Sequence, residues 1–239
     1  LNLGVGRAPL QCPIEAIERE NADLVAVQEL LPATARALRR ELGERYPHAV
    51  LEPSQSDTGL LSRYPILASE RFRPAGFGRA ALQARLDVEG TVVHLIVVHP
   101  RPPEFCRPPG WPVPTGVCYD ELDRQVADIA ARAATLPGPV VVLGDFNMSE
   151  ETRAYDRMAG RLKDAFREAG QGFGFTFPVG RSRDGIPVPG PLVRLDYIFH
   201  SCELFARAAR VGCGAGSYHC FVVAELERRF ASGPLPSPR

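Results

Sequence analysis

Five positions in this chain put reactive side chains at the ends of apolar runs. Gln28-Glu29 follows Leu24-Val25-Ala26-Val27, His99 follows the 92–98 run, and Asp145 with Asn147 follows Val140-Val141-Val142-Leu143. Asp196 opens Asp196-Tyr197-Ile198-Phe199, and His219 stands at the start of the last apolar run. One acidic or amide residue at a strand end usually only caps a turn. Five such ends in one chain point to packed strands that deliver their termini into one cleft. Glu29 is a hard oxygen ligand suited to Mg²⁺, which keeps several waters and takes one or two carboxylates plus substrate phosphate. Asn2, at the end of a first strand, adds an amide oxygen. Of Asp145 and Asn147, two apart and expected on one side of an extended segment, one would orient or deprotonate a water while the other bonds a phosphoryl oxygen. Asp196 is the natural partner to lock the His219 tautomer and raise its basicity, and His99 is a further donor to phosphate. The sequence has no nucleophile-elbow serine, Walker loop, HExxH or zinc-type Cys/His spacing. Metal-assisted attack of water on phosphorus fits this inventory best.

The elements that must carry these residues alternate between strand and helix. Pro13, with Ile14, Ile17 and Glu18, opens a short amphipathic helix. Helical spacing returns at 34–42, at 120–136 with Leu122, Val126, Ile129 and Ala133 on one face, and more briefly at 150–158 and 161–169. Strand-like runs fall at 24–27, 49–51, 59–62, 81–86, 92–98, 140–143, 196–199, 206–211 and 221–226. Glu89-Gly90 makes a hairpin turn. Residues 170–191 read as a Gly/Pro/aromatic loop in which Phe173, Phe175 and Phe177 alternate, and the tail after Phe230 as mobile. No composition break divides the chain. The expectation is one α/β domain over residues 1–230 with a flexible tail at 231–239, built as two packed sheets with helices outside.

Basic and acidic side chains balance at 28 each, which argues against bulk electrostatic binding of long nucleic acid. Lys163 is the single lysine. No run approaches the roughly 18 to 20 apolar residues that span a bilayer. Leu1-Asn2-Leu3 reads as the end of a strand already under way, so an upstream segment carrying a signal or anchor is expected. Among six cysteines, Cys106 and Cys118 bracket a Pro/Gly-rich stretch that a disulfide would stiffen by on the order of 3 kcal/mol. Cys202 with Cys213 is the second pairing expected, and Cys12 and Cys220 stay unassigned. These bridges favour an extracytoplasmic location, secreted or membrane-anchored. Trp111, inside the bracketed loop, reads as a lid or membrane-contacting residue.

Asp-Leu-Val-Ala-Val-Gln28-Glu29, Leu-Leu-Ser62-Arg-Tyr-Pro, Gly144-Asp145-Phe146-Asn147, Arg194-Leu195-Asp196-Tyr197-Ile-Phe and Ser217-Tyr218-His219 resemble, in order and spacing, the successive motifs of the endonuclease/exonuclease/phosphatase superfamily. The resemblance runs from Asn2 to about Leu226. It implies a four-layer α/β sandwich with two central mixed or antiparallel sheets. It also implies Glu29 and Asn2 at one Mg²⁺ (or Mn²⁺ or Ca²⁺), Asp145 aligning the attacking water, and Asn147 on the phosphate. Asp196 would orient His219, and His219 and His99 would contact the scissile phosphate. The loop from Gly172 to Pro178 and the Val97-Val98-His99-Pro100-Arg101 stretch look most like a bacterial, often membrane-tethered branch. The substrate this favours is a small or lipid-head-group phosphoester, with nucleic acid open, handled by a monomer. Two departures stand out. The family's Ser-Asp-His ending is Ser217-Tyr218-His219 here, and a common acidic position two after the first Asn is Gly4. They motivate a second reading, a catalytically weakened module that binds phosphorylated ligands on the same fold.

Overall fold

The computed structural model describes residues 1–4, 9–53, 56–107, 110, 113–180 and 187–229. Expectations for Trp111 and for the 231–239 tail lie outside them. The chain begins α1 (Gln11–Glu20), β1 (Leu24–Val27), α2 (Pro32–Leu42), β2 (His48–Val50), β3 (Gly59–Ser62), β4 (Ile66–Phe72), β5 (Ala81–Val88) and β6 (Thr91–Val98). It continues β7 (Glu104–Cys106), β8 (Gly116–Cys118), α3 (Asp120–Thr135), β9 (Val140–Asp145), α4 (Arg153–Ala159), β10 (Lys163–Asp164) and α5 (Ala165–Ala169). It closes with β11 (Asp196–His200), β12 (Leu204–Gly212) and β13 (Phe221–Arg228).

The layers follow from which face of each element is apolar. A six-stranded mixed sheet runs β10-β11-β9-β6-β5-β4, with β6 and β9 parallel and the other neighbours antiparallel. β6 is buried from Val93 to Val98 because both of its faces are covered. On one side Ile96, Val98, Val140 and Val142 pack with Leu122, Val126 and Ile129 of α3 and with Met158 of α4. On the other, Leu95, Val97, Val141 and Leu143 meet Ala26, Leu60 and Leu204. The facing layer comes in two pieces, an antiparallel β2-β3-β1 sheet and a β12-β13 ribbon. Behind β1 and β3 lie α1 and α2, with Ile14, Ile17, Ala35 and Leu38 packed on Val27 and Leu61. Helices, sheet pieces, large sheet and helices give the four-layer α/β arrangement expected, its second sheet divided.

Several expectations change in detail. β4 goes unread in sequence because it is an edge strand whose Leu67–Glu70 stretch is exposed, leaving no apolar alternation. The helix expected at 150–158 starts at Arg153, after Thr152 caps Tyr155. The 161–169 helix gives way to β10, because Asp164 turns its carboxylate onto the amides of Phe166 and Arg167 and so starts α5. The Cys106–Cys118 bridge is present and closes the β7–β8 hairpin. The second bridge is Cys213–Cys220, not Cys202–Cys213. Gly212 pairs with Phe221 at the turn end of the β12–β13 ribbon, which brings the Cα atoms of Cys213 and Cys220 to 4.3 Å. Cys202 precedes the other end of β12 and is a free, exposed thiol, as Cys12 is a free one. Among the described residues no helix is long and apolar enough to cross a membrane.

Candidate active site

Strand direction gathers the site. β6 and β9 are parallel with Val98 beside Gly144, so His99 and Asp145 emerge together. Gly144 has φ 145°, and a Cβ there would come within 2.1 Å of the Val98 carbonyl oxygen, so only glycine permits this approach. β11 runs back from the same edge, with Asp196 opposite Asp145. β1 delivers Gln28 and Glu29, and Asn2 forms a parallel bridge to Gln28. His219 comes from the turn that enters β13. All seven residues expected at the site converge.

Asp145 is the hub. It is 2% exposed, and its Oδ2 accepts from Asn2 Nδ2 at 2.9 Å. The same oxygen lies 3.6 Å from His99 Nε2 and 3.7 Å from His219 Nε2. Asn2 also reaches Glu29 Oε1 at 3.4 Å, and its own Oδ1 accepts from the Gly4 amide at 2.9 Å. Asn147 does not extend from Asp145 as the sequence reading supposed. It is left-handed, with φ 51°, so its amide folds back onto Asp145 Oδ1 at 2.9 Å. Its side-chain Nδ2 donates to the Pro100 carbonyl at 3.0 Å and ties the end of β9 to the loop after β6.

Each imidazole is held from behind by a carboxylate. His219 Nδ1 is 2.9 Å from Asp196 Oδ2, the pair expected, and His99 Nδ1 is 2.8 Å from Asp57 Oδ2. A carboxylate only accepts, so both Nδ1 atoms carry hydrogen and both Nε2 atoms face Asp145. Arg79 adds a guanidinium, with Nη1 3.2 Å from His99 Nε2 and Nε 3.1 Å from Asp57 Oδ2. Sequence reasoning missed Asp57 and Arg79. Both sit in loops beside turn-forming residues, where a charge reads as solvated, and the only signal was an acid just before the 59–62 run.

The electrostatics follow from burial and these pairings. Burial works against a charged His219, but the Asp196 charge and hydrogen bond, then the charges of Asp145 and Glu29, lift its pKa to about 9. Burial pushes the Asp145 carboxyl above the usual carboxylate range and the Asp196 charge adds to it, against the pull of His219, His99 and the Asn147 amide.

Supporting residues explain several other sequence features. Thr176 is fully buried, and its hydroxyl accepts from the Leu195 and Asp196 amides at 3.0 and 3.2 Å. Phe177 lays its ring 4.8 Å from that of His219, while Phe173 stacks on Phe175 and is 75% exposed. One of the three alternating aromatics therefore walls the site. Arg194 is buried between Asp164 and Glu150 and over the Tyr197 ring, so it braces β10, α5 and β11 from beneath. Gly4 has φ 59°, and a Cβ there would meet Ser217 Oγ at 3.0 Å, so any side chain at that position strains the turn.

Oxygen ligands flanked by two carboxylate-held imidazoles, at the ends of strands in a four-layer α/β fold, are the group types that phosphoester hydrolysis uses. Residues 14–219 match the Endonuclease/Exonuclease/phosphatase family, and the chain belongs to it. This is a family of phosphoester hydrolases and nucleases that generally use a divalent metal. Solved structures share the fold. An endonuclease/exonuclease/phosphatase from Bacteroides vulgatus aligns with TM-score 0.73 and 19% identity over 95% of this chain and 97% of its own. TDP2 of D. rerio, complexed with single-strand DNA product, aligns with TM-score 0.71 and 19% identity over 95% and 97%. The human Nocturnin catalytic domain with bound sulfate aligns with TM-score 0.68 and 18% identity over 96% and 93%. No curated protein sequence matches the chain.

Proposed function

We propose that this protein is a metal-dependent phosphoesterase in which Asp145 is the proton acceptor for the attacking water and His219 is the charged donor to the phosphoryl group. The observation that carries this reading is the convergence of two carboxylate-held imidazoles on one buried carboxylate oxygen. A base serves best when its pKa is drawn up toward the working pH, and Asp145 is shifted in that direction. His219, with its pKa near 9, carries Nε2–H at neutral pH and can donate to a phosphoryl oxygen as negative charge gathers there. Asn147, with one amide hydrogen on Pro100, keeps its second for the phosphate. His99, locked by Asp57, and Arg79 close the opposite side of the phosphate site.

The donor set fits a divalent cation. The carboxyl and imidazole atoms of Asp145, Asp196 and His219 lie within 4.8 Å of one another, but a charged imidazole is no ligand. Glu29 is therefore the carboxylate suited to one Mg²⁺-type ion. Asn2 turns its Nδ2 to Glu29 and Asp145 and its Oδ1 to the Gly4 amide, and would offer its oxygen only after its amide rotates. Asp196 Oδ1, buried with no hydrogen-bond partner among the described residues, leaves further negative charge nearby. Such an ion would polarise a phosphoryl oxygen and lower the pKa of a bound water. Balanced net charge supports a small or membrane-borne phosphoester over long nucleic acid. TDP2, which shares the fold, was captured with single-strand DNA product, so nucleic acid belongs in the first substrate panel. Two disulfides support an extracytoplasmic location for this domain.

The test is turnover of bis(p-nitrophenyl) phosphate and p-nitrophenyl phosphate with and without Mg²⁺, Mn²⁺ or Ca²⁺, beside Asp145→Asn. Metal-dependent hydrolysis that falls at least about 100-fold in the variant is expected, with a circular-dichroism spectrum unchanged. Equal activity in the variant refutes the mechanism. Folded protein that is inactive on both esters favours the second reading, a phospho-ligand-binding module, which Tyr218 in place of the family's acid motivates.

A further inference from the structure

The loop between β4 and β5 gathers positive charge beside the catalytic cluster. Residues 71–86 hold Arg71, Arg73, Arg79 and Arg85 and no acid, in a chain with no net charge. Three further guanidinium contacts fall on its Phe77-Gly78 step. Arg73 Nη1 donates to the Gly78 carbonyl at 2.7 Å, and Arg124 stands 5.2 Å over the Phe77 ring. Arg101, from the loop after β6, places its Nε 3.5 Å from where a Cβ of Gly78 would stand. The next residue, Arg79, turns inward to His99 and Asp57.

These charges are thinly neutralised. Asp57 answers Arg79, and Glu121 stands 3.5 Å from Arg101, a loose pair with both side chains nearly half exposed. Among the described residues Arg73 and Arg124 make no ion pair, and the hydrogen bonds they donate go to backbone carbonyls. Guanidinium groups brought together in this way repel one another until an anion joins them.

The backbone beneath them is firmly built. A 3-10 turn at Pro74–Gly76 leads into it, and Ala75, Gly76 and Gly78 are left-handed at φ 54°, 78° and 77°. An alanine in that region is strained, and such strain gathers at ligand sites. The Ala75 amide is held by Asp128 Oδ2 at 2.9 Å. Gln125, fully buried, donates to the Phe77 carbonyl at 3.1 Å and accepts from the Arg101 amide at 2.9 Å. One side chain thus clamps the two arginine-bearing loops together. A Cβ on Gly78 would come within 2.3 Å of Gln125 Nε2, so the clamp requires glycine there.

We propose that Arg73 and Arg101, set on this scaffold, form a second anion subsite, and that the substrate is a phosphoester carrying a further phosphate group. This rests on the phosphoesterase reading, which puts the hydrolysed phosphate between His219 and His99. Arg79 joins the two places. Its guanidinium is 3.2 Å from His99 Nε2, and its neighbour Gly78 carries the Arg73 guanidinium on its carbonyl. A second phosphate supplies the negative charge this loop lacks, and guanidinium forks match paired phosphate oxygens.

Two esters with one leaving group test this, thymidine 5′-(p-nitrophenyl phosphate) with and without a 3′-phosphate. The parent protein is expected to show kcat/KM at least about tenfold higher for the ester with the 3′-phosphate, through a lower KM. Arg73→Ala combined with Arg101→Ala brings that ratio close to one, and the corresponding pair of Lys substitutions, which keeps the charge, recovers part of it. Melting without metal gives a readout free of turnover. Pyrophosphate should raise the midpoint by on the order of 2 to 4 °C more than equimolar phosphate, and the Ala pair should lose that difference. A preference or a pyrophosphate effect that survives the Ala pair overturns the subsite, and so does the absence of both in the parent. Inactivity on both esters with the pyrophosphate effect present counts against the phosphoesterase reading and for the subsite. Stronger inhibition by thymidine bisphosphate than by oligothymidylate supports the subsite with a small molecule as the source of the second phosphate, and the reverse order supports it with a polynucleotide.

Discussion

Replacing Asp196 by Asn tests whether His219 is an imidazolium in the folded protein. The substitution keeps the shape and an acceptor oxygen but removes the charge 2.9 Å from Nδ1. A pKa of about 9 in the folded chain against 6.5 in the unfolded one is equivalent to roughly 3 kcal/mol of folding stability. His219 is only 8% exposed, so solvent screens little of it. The sign follows from the raised folded value. Below pH 6.5 both states hold the proton and the whole contribution is present. Between 6.5 and 9 the unfolded chain releases its proton while the folded one keeps it, and the contribution fades. Above 9 it is gone. Asp145 and Glu29 share in lifting His219, so Asp196→Asn costs at most about 3 kcal/mol at pH 6 and much less at pH 9.5. Urea unfolding of both proteins at the two pH values measures this, and the His219 ring proton in NMR gives the pKa directly. In turnover, the alkaline limb near pH 9 should move to lower pH in the variant. A cost that is the same at pH 6 and pH 9.5 would refute a charged His219.

The other predictions concern residues around this pair. Asp57→Asn should lower kcat roughly 10- to 100-fold with little change in KM, measured by steady-state hydrolysis, because it loosens His99 without touching Asp145. Gly4→Ala should cost about 1 to 3 kcal/mol in chemical denaturation, since φ 59° and the Ser217 contact both oppose a Cβ; a neutral result would mean the turn relaxes freely. Arg194→Ala should cost about 3 to 5 kcal/mol by leaving the buried Asp164 carboxylate without its guanidinium, and Arg194→Met should recover part of it in the same assay.

Where a strand is buried on both faces, its apolar run is long enough to read, and residues 24–27 and 59–62 were legible to the residue. Each of the motifs ending such a run accordingly brings its residue into the cluster around Asp145. Legibility failed where the determining contact is distant or the conformation irregular. Nothing near Asp57 announces His99, 42 residues away, and Arg79 in its loop looks like one surface arginine among many. Asn147 was expected on an extended path, but the Asp145 carboxylate captures its amide and bends the chain. The cysteine pairing depended on hairpin register, because Cys213 and Cys220 meet only once Gly212 is known to face Phe221. β4 is exposed along its middle, so the hydrophobic pattern that marks other strands is absent there.

The Cys213–Cys220 bond closes a covalent ring around Ser217, Tyr218 and His219. The imidazole that donates to substrate in our reading thus stands one residue from a ring closure, tethered by a bond as well as by packing. Thiol reductants would open that ring without touching any group that meets the phosphate. The accuracy with which His219 is aimed is therefore tied to the oxidising power of the surroundings, and the same chemistry would run less faithfully wherever thiols are kept reduced.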